Sequence, residues 1–325
     1  MQKKLYPVKF LPILKDKIWG GEKLGEIYNI KNAENIGESW VLSGYAANES
    51  VISNGDLCGQ TLTQLIDIYH DKLLGKSVYE KYGQKFPLLF KLIDAGDKLS
   101  IQVHPDDKIA WERHCSFGKT EMWYIIDAEK DSELILGFAN DTTPEEYSAA
   151  LANGTLESLL HRVKVHSGDV VFIPAGLVHA IGKGILLAEI QQSSDITYRV
   201  YDYNRKDTAG CERELHIEQA IDIIDYKKTQ NPLIKYQNRR NEFISLINCN
   251  YFNVSFMEFS NNQFLDYDEI ENFVVLLCVQ GSFELKTTDS STWLKTGEAV
   301  LLPATTKVVL LIPAQVSRVL ETFII

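Results

Sequence analysis

The feature that most restricts this chain is that it repeats itself. EMWYIIDAEKDSELILG (121–137), followed by HSGDVVFIPAGLVHAI (166–181), has a counterpart in ENFVVLLCVQGSFELKT (271–287), followed by KTGEAVLLPATTKVVLL (295–311). Each copy is a strand pair, a Gly-acid turn, an apolar strand and an Ile/Leu-Pro-Ala stop. Glu121 aligns with Glu271, Gly168 with Gly297 and Pro174 with Pro303. Self-similarity on this scale predicts two related domains in tandem. The short β-branched and aromatic runs between Gly, Asp, Asn and Ser predict small β-barrels. The first copy is longer by DTTPEEYSAALANGTLESLLHRV (141–163), which reads as two inserted short helices, the first opened by Thr-Pro-Glu-Glu. Further helices are expected over 61–75 and 213–225. The polar segment YKKTQNPLIKYQNRRNE (226–242) makes a linker, so the expected domains are residues 1–230 and 240–325.

A chain of 325 residues that is 45% hydrophobic and 24% charged accommodates two such domains. Its net charge of −11 argues against nucleic acid or an anionic membrane as the main partner and leaves room for a small anionic ligand. The five cysteines are scattered, with no C-x-x-C pair, which suits a reducing compartment. MQKKLYPVKFLPILKDKIW has apolar runs broken by Lys9 and Lys15, and no stretch approaches a membrane span. The expectation is a cytoplasmic protein.

The stretch KLSIQVHPDD (98–107) places Ser100, Gln102 and His104 on one face of a strand and Ile101 and Val103 on the other. Glu121 opens the next strand pair, and His179 follows Pro174 by five residues at the end of an apolar strand. An amide oxygen, two imidazoles and a carboxylate converging in a barrel suit a divalent transition metal, with zinc, iron and manganese all admissible. The repeat offers a control, because the second copy has Val308 where the first has His179. The remaining histidines, His70, His114, His161, His166 and His216, sit among charged or turn residues and are expected at the surface.

Glu189 interrupts the apolar run ILLAEIQQ, where a carboxylate has to be paired, coordinated or catalytic. Lys119 lies two residues before Glu121, on the same face if the strand starts that early. In SSDITYRVYDYNR (193–205), Asp195, Thr197 and Arg199 alternate with apolar residues, a pattern costly in a core and usual in a pocket. Trp19, before Gly20-Gly21, is available as a pocket wall. Dinucleotide, P-loop, H-E-x-x-H and nucleophile-elbow signatures are absent.

FPLLFKLIDAGDKLSIQVHPDD, GKTEMWYIID, IPAGLVHAIGKGILLAEIQQSSDITYRVYDYNR and RELHIEQA resemble the class I mannose-6-phosphate isomerases, nearest to their short bacterial form. IWGGEKLGE and NIGESWVLSG resemble that family's opening motifs. The likeness is dense from about residue 10 to 225 and weaker beyond. It implies tandem cupin-like barrels of jelly-roll type, the first holding one zinc ion through Gln102, His104, Glu121 and His179, the second metal-free. It also implies pocket roles for Trp19, Glu38, Ser100, Lys119, Glu189, Asp195 and Arg199. The implied reaction interconverts mannose 6-phosphate and fructose 6-phosphate, with Arg199 stabilising an anion, Lys119 near a substrate oxygen, and Glu189 or Asp195 moving the proton. A sugar-phosphate-binding protein without turnover is the alternative, and a metal oxygenase of the same fold a third. Two departures from longer relatives stand out: the short helical insertion, and Gly118 where some relatives carry a bulkier polar residue.

Overall fold

A computed structural model describes residues 3–206 and 210–324. The chain is mainly β, as expected, and divides into two compact units. One comprises residues 15–38 and 93–234; the other comprises 1–14, 39–92 and 235–325. This differs from a purely sequential division, because residues 1–14 and 39–92 cluster with the C-terminal segment. The strands Ile36–Ser43 and Leu88–Ala95 carry the chain from one unit to the other, and both are buried along their whole length.

In the first unit a five-stranded sheet runs in the order Tyr198–Tyr201, Ile101–Val103, His179–Ile181, Glu133–Phe138, Leu160–Lys164. A second sheet contains Ile13–Gly21, Ile185–Gln192, Glu121–Ala128 and Val170–Ile173. Neither closes into a hydrogen-bonded barrel, so the expected barrels are open jelly-roll sandwiches. Alternation sorts the side chains. Trp19, Trp123, Ile125, Leu134, Leu136, Val171, Ile173, Ile181 and Leu187 form one apolar cluster. Ile101, Val103, Ala180, Tyr198 and Val200 point the other way, into a cluster with Tyr147, Leu156 and Ala220. The helices Pro144–Ala152 and Ile217–Ile221 supply Tyr147 and Ala220 and so cover the outside of the five-stranded sheet.

The second unit repeats this plan. Val274–Gln280 lies between Ala299–Leu302 and Ser317–Phe323, as Glu121–Ala128 lies between Val170–Ile173 and Ile185–Gln192. Gly168 and Gly297 both adopt positive φ (93° and 87°) and donate to Ile125 and Cys278 carbonyls. The ladder corrects one expected alignment. Glu121 pairs with Ile173, the residue before Pro174, whereas Val274 pairs with Leu302, the residue before Pro303. The counterpart of Glu121 is therefore the buried Val274, and Glu271 is an exposed residue ahead of the strand.

Three helical expectations change. Residues 61–75 form Leu62–Tyr69 and Asp71–Leu74, broken at His70 with φ 50°. Of the two helices expected in 141–163, only Pro144–Ala152 forms, with the Thr143/Glu146 capping box. Gly154 at φ 70° ends that run, and a 3-10 turn leads into the strand Leu160–Lys164. The helix expected over 213–225 is confined to Ile217–Ile221. No helix among the described residues is long and apolar enough to cross a membrane.

Candidate metal centre

The strand of Gln102, Ile101–Val103, ends before Pro105, and a helix begins at Asp107. Asp106 accepts a hydrogen bond from Ile109 N at 2.9 Å and caps Asp107–His114. That turn brings the chain back so that Lys119 N donates to Pro105 O at 3.0 Å. The register then assembles the site. His179 pairs with Gln102, Gln102 pairs with Arg199, Glu121 pairs with Gln191, and Trp123 pairs with Glu189. Residues from five strands thus form a polar layer at the edge of the apolar cluster.

His104, Glu121 and His179 are buried, and their ligand atoms lie within 4.8 Å of one another. His104 Nε2 is 3.2 Å from Glu121 Oε1. Gln102 Nε2 lies 3.4 Å from His179 Nε2, and a turn of the amide puts its oxygen there instead. Both rings are held from behind: His104 Nδ1 meets Ile196 O at 2.9 Å and His179 Nδ1 meets Leu177 O at 2.8 Å. A carbonyl only accepts, so each Nδ1 carries the proton and each Nε2 presents a lone pair to the centre. Burial, then the Lys119 charge, push the His104 imidazole down to about 3, and burial lowers His179 too. Both rings are neutral at physiological pH, the form that ligates. Burial alone raises a carboxyl, but the adjacent Lys119 ammonium opposes it, and Glu121 is held well below the usual range.

Tetrahedral zinc, with bonds of about 2.0–2.2 Å, has its ligands roughly 3.4 Å apart. The His104–Glu121 and Gln102–His179 separations match that spacing. Neutral imidazoles, an ionised carboxylate and an amide therefore fit one divalent ion. Lys119 Nζ stands beside them, 2.9 Å from Glu121 Oε1 and 3.2 Å from His104 Nε2. Lys119 reaches the cluster although the strand begins only at Glu121.

The other expected site residues fall in different places. Glu189 is buried beside the cluster, its Oε1 accepting from Trp123 Nε1 at 3.0 Å; the same N–H points at Glu121 Oε2 at 3.1 Å. Arg199 donates from Nε to Ser100 Oγ at 3.3 Å and from Nη1 to Glu214 O at 2.8 Å. Trp19 is packed with Trp123 in the apolar cluster. Glu38 is buried and ion-paired with Lys17 at 2.9 Å. Asp195 is exposed, because the expected strand over 193–205 spans only Tyr198–Tyr201 and leaves it in the preceding loop. Among the histidines expected at the surface, His216 is half-buried and its Nδ1 accepts from Arg199 N at 3.3 Å.

Sequence reasoning missed three contributors. Trp123 is one, hidden in an apolar run. Gln191 is another: it is fully buried opposite Glu121, and its amide donates to Gln192 O and Ser194 O. Its parity with Glu189, two residues earlier, was the available signal. Gln192 is the third, accepting from Thr120 N at 3.0 Å and donating to Asp107 Oδ1 at 2.8 Å; that oxygen also accepts from Gly118 N. The residues flanking Lys119 are thereby clamped on both sides. A side chain at Gly118 meets the Asp106–Asp107 backbone at about 2.5 Å, so a bulkier residue does not fit this turn.

Residues 8–148 match the family model for the phosphomannose isomerase type I catalytic domain, and residues 242–312 match that for the mannose-6-phosphate isomerase cupin domain. The mannose-6-phosphate isomerase ManA of Bacillus subtilis is 38% identical over 300 residues, covering 91% of this chain and 93% of its own. The mannose-6-phosphate isomerase of Streptococcus mutans is 37% identical over 293 residues, covering 90% of each. A crystal structure of the mannose 6-phosphate isomerase from Bacillus subtilis superposes with a TM-score of 0.84 at 33% identity, covering 98% of this chain and 99% of that one.

Proposed function

The chain belongs to the type I phosphomannose isomerase family, and from that premise we propose that it interconverts mannose 6-phosphate and fructose 6-phosphate with one zinc ion held by Gln102, His104, Glu121 and His179. The observation that carries this reading is the buried pair of Nδ1-anchored imidazoles facing Glu121, with Glu189 on the adjacent strand. When bound, the zinc supplies Lewis-acid polarisation of the oxygens on C1 and C2 of the open-chain sugar.

The isomerisation removes a proton from C2 of the aldose, returns one to C1 and shifts a hydroxyl proton from O2 to O1. Glu189 is the base in this reading. It faces inward from the strand beside Glu121, and water is largely excluded around it. Lys119, held over Glu121 by the clamp on its neighbours, donates to the substrate oxygens as charge builds on the enediolate. Arg199 presents a permanently charged fork from the strand beside Gln102 and holds the substrate anion. Ser100 orients that guanidinium; Trp19 backs the site through Trp123. Asp195, exposed before the Arg199 strand, and Glu38, ion-paired with Lys17, do not carry the proton in this reading. The net charge and the scattered cysteines support a free sugar phosphate as partner and a cytoplasmic setting.

The test is isomerase activity on mannose 6-phosphate as purified, after chelation, and after zinc is restored, with the bound metal identified by elemental analysis. Activity lost on chelation and recovered with zinc is the expected result. A folded, zinc-loaded protein that turns over nothing overturns the reading in favour of a binding protein, and iron as the active metal overturns the zinc assignment.

A further inference from the structure

Asp202 lies just past the strand that carries Arg199 and is 5% exposed. Its carboxylate accepts from Arg213 Nε at 2.7 Å, from Arg213 Nη2, and from Arg205 Nη2 at 2.6 Å. Arg205 also donates through Nε and its backbone N–H to the Asp202 carbonyl. A nearly buried carboxylate joined to two guanidiniums by charge-assisted bonds is a rigid anchor for the segment that returns at Arg213. That segment runs beside Arg199. The Glu214 carbonyl, one residue from Arg213, accepts from Arg199 Nη1 at 2.8 Å, and His216 N donates to Arg199 O at 2.7 Å.

The arrangement separates two duties. Arg199 spends its hydrogen bonds on neutral oxygens, those of Ser100 and Glu214, and among the described residues no carboxylate is ion-paired with it; Asp202 and Glu214 act on its charge only at longer range. Asp202, three residues away, is ion-paired with Arg205 and Arg213. We propose that Asp202 is a positioning residue for the isomerisation: by anchoring Arg213 it holds the Glu214 carbonyl against Arg199 and so aims that guanidinium at the substrate anion. This rests on the reading that Arg199 meets the substrate.

The test is a double-mutant cycle on kcat/KM with Asp202→Asn, Arg199→Gln and the double variant, alongside thermal midpoint and zinc content. Asp202→Asn is expected to lower kcat/KM about ten-fold or more in the wild-type background and less than about two-fold when Arg199 is already Gln. Asp202→Glu, which restores the carboxylate, is expected to recover part of the loss, with zinc content unchanged throughout. If Asp202→Asn does not fold, Arg213→Gln breaks the same anchor from the other side and serves in the same cycle. Equal losses in both backgrounds, or no loss in the wild-type background, overturn the proposal. Full activity in Arg199→Gln alone fails the Arg199 reading itself, a result distinct from failure of the anchor.

Discussion

Glu121 and Glu189, on neighbouring strands, share a single donor: Trp123 Nε1 lies 3.1 Å from an oxygen of the first and 3.0 Å from an oxygen of the second. A candidate metal ligand and a candidate base are thereby coupled through one indole. The ring itself is fully buried and packs edge-on against His179, with centroids 5.4 Å apart. Trp123 thus orients a carboxylate on one side and an imidazole on the other.

Replacing Trp123 with Phe keeps most of the packing and removes the N–H. Groups that orient a metal ligand are worth about 10–100-fold in metal affinity. Trp123→Phe is therefore expected to release zinc at roughly ten-fold lower chelator concentration than wild type, read by competition with a chromophoric chelator. Unchanged zinc retention would mean that the backbone alone sets the Glu121 geometry.

Glu189→Gln and Asp195→Asn separate the two candidates for proton transfer. Glu189 is inside the sandwich and Asp195 is in an exposed loop. A positioned general base contributes about 10²–10⁴-fold, so Glu189→Gln is expected to lower kcat by at least roughly 10² while Asp195→Asn costs no more than about ten-fold. The reverse order of losses, measured at saturating substrate, moves the base to Asp195.

Gly118→Ala tests the clamp around Lys119. The added Cβ meets Asp107 N at 2.5 Å and Asp106 C at 2.6 Å, both backbone atoms that do not swing aside. Overpacking of this kind costs about 1–3 kcal/mol, and the turn that delivers Lys119 has to shift. A lowered unfolding midpoint together with reduced kcat is the expected result. An alanine variant with wild-type stability and turnover contradicts the tight fit.

Glu321 makes the second unit sensitive to pH. Burial raises its carboxyl to about 7 from the ordinary 4.5, despite the hydrogen bond donated by Tyr267 at 2.7 Å. The folded state therefore holds a proton that the unfolded state releases between those values. Its stabilising effect is complete below the unfolded value and is lost as pH rises through about 7, a change of about 3 kcal/mol. Glu321→Gln is expected to flatten this part of the profile and to be more stable than wild type at about pH 8, by urea unfolding. Parallel pH profiles for the two proteins would show that the carboxylate is solvated after all.

Much of the site was legible along single strands. Gln102, His104 and His179 follow from alternation and from the Pro-Ala stop, and Glu189 is conspicuous as a charge in an apolar run. The repeat was visible too, yet the aligned acids Glu121 and Glu271 misled, because the Gly168 and Gly297 turns set the ladder and place Val274 opposite Leu302. The second helix expected in 141–163 failed for a related reason: Leu160–Lys164 pairs with Glu133–Phe138, and that partner lies outside the local window.

Local chemistry was enough to establish a mainly β, duplicated chain and to name the candidate metal-ligating quartet, since side-chain parity is a property of each strand alone. Long-range pairing was needed for the rest. Trp123 between two carboxylates, Gln192 and Asp107 around Lys119, and the Asp202 anchor beside Arg199 all join groups brought together by register and loop return. Hydrogen bonds between residues distant in sequence leave no periodic trace, because each depends on where two separate segments meet in space and not on the pattern within either one.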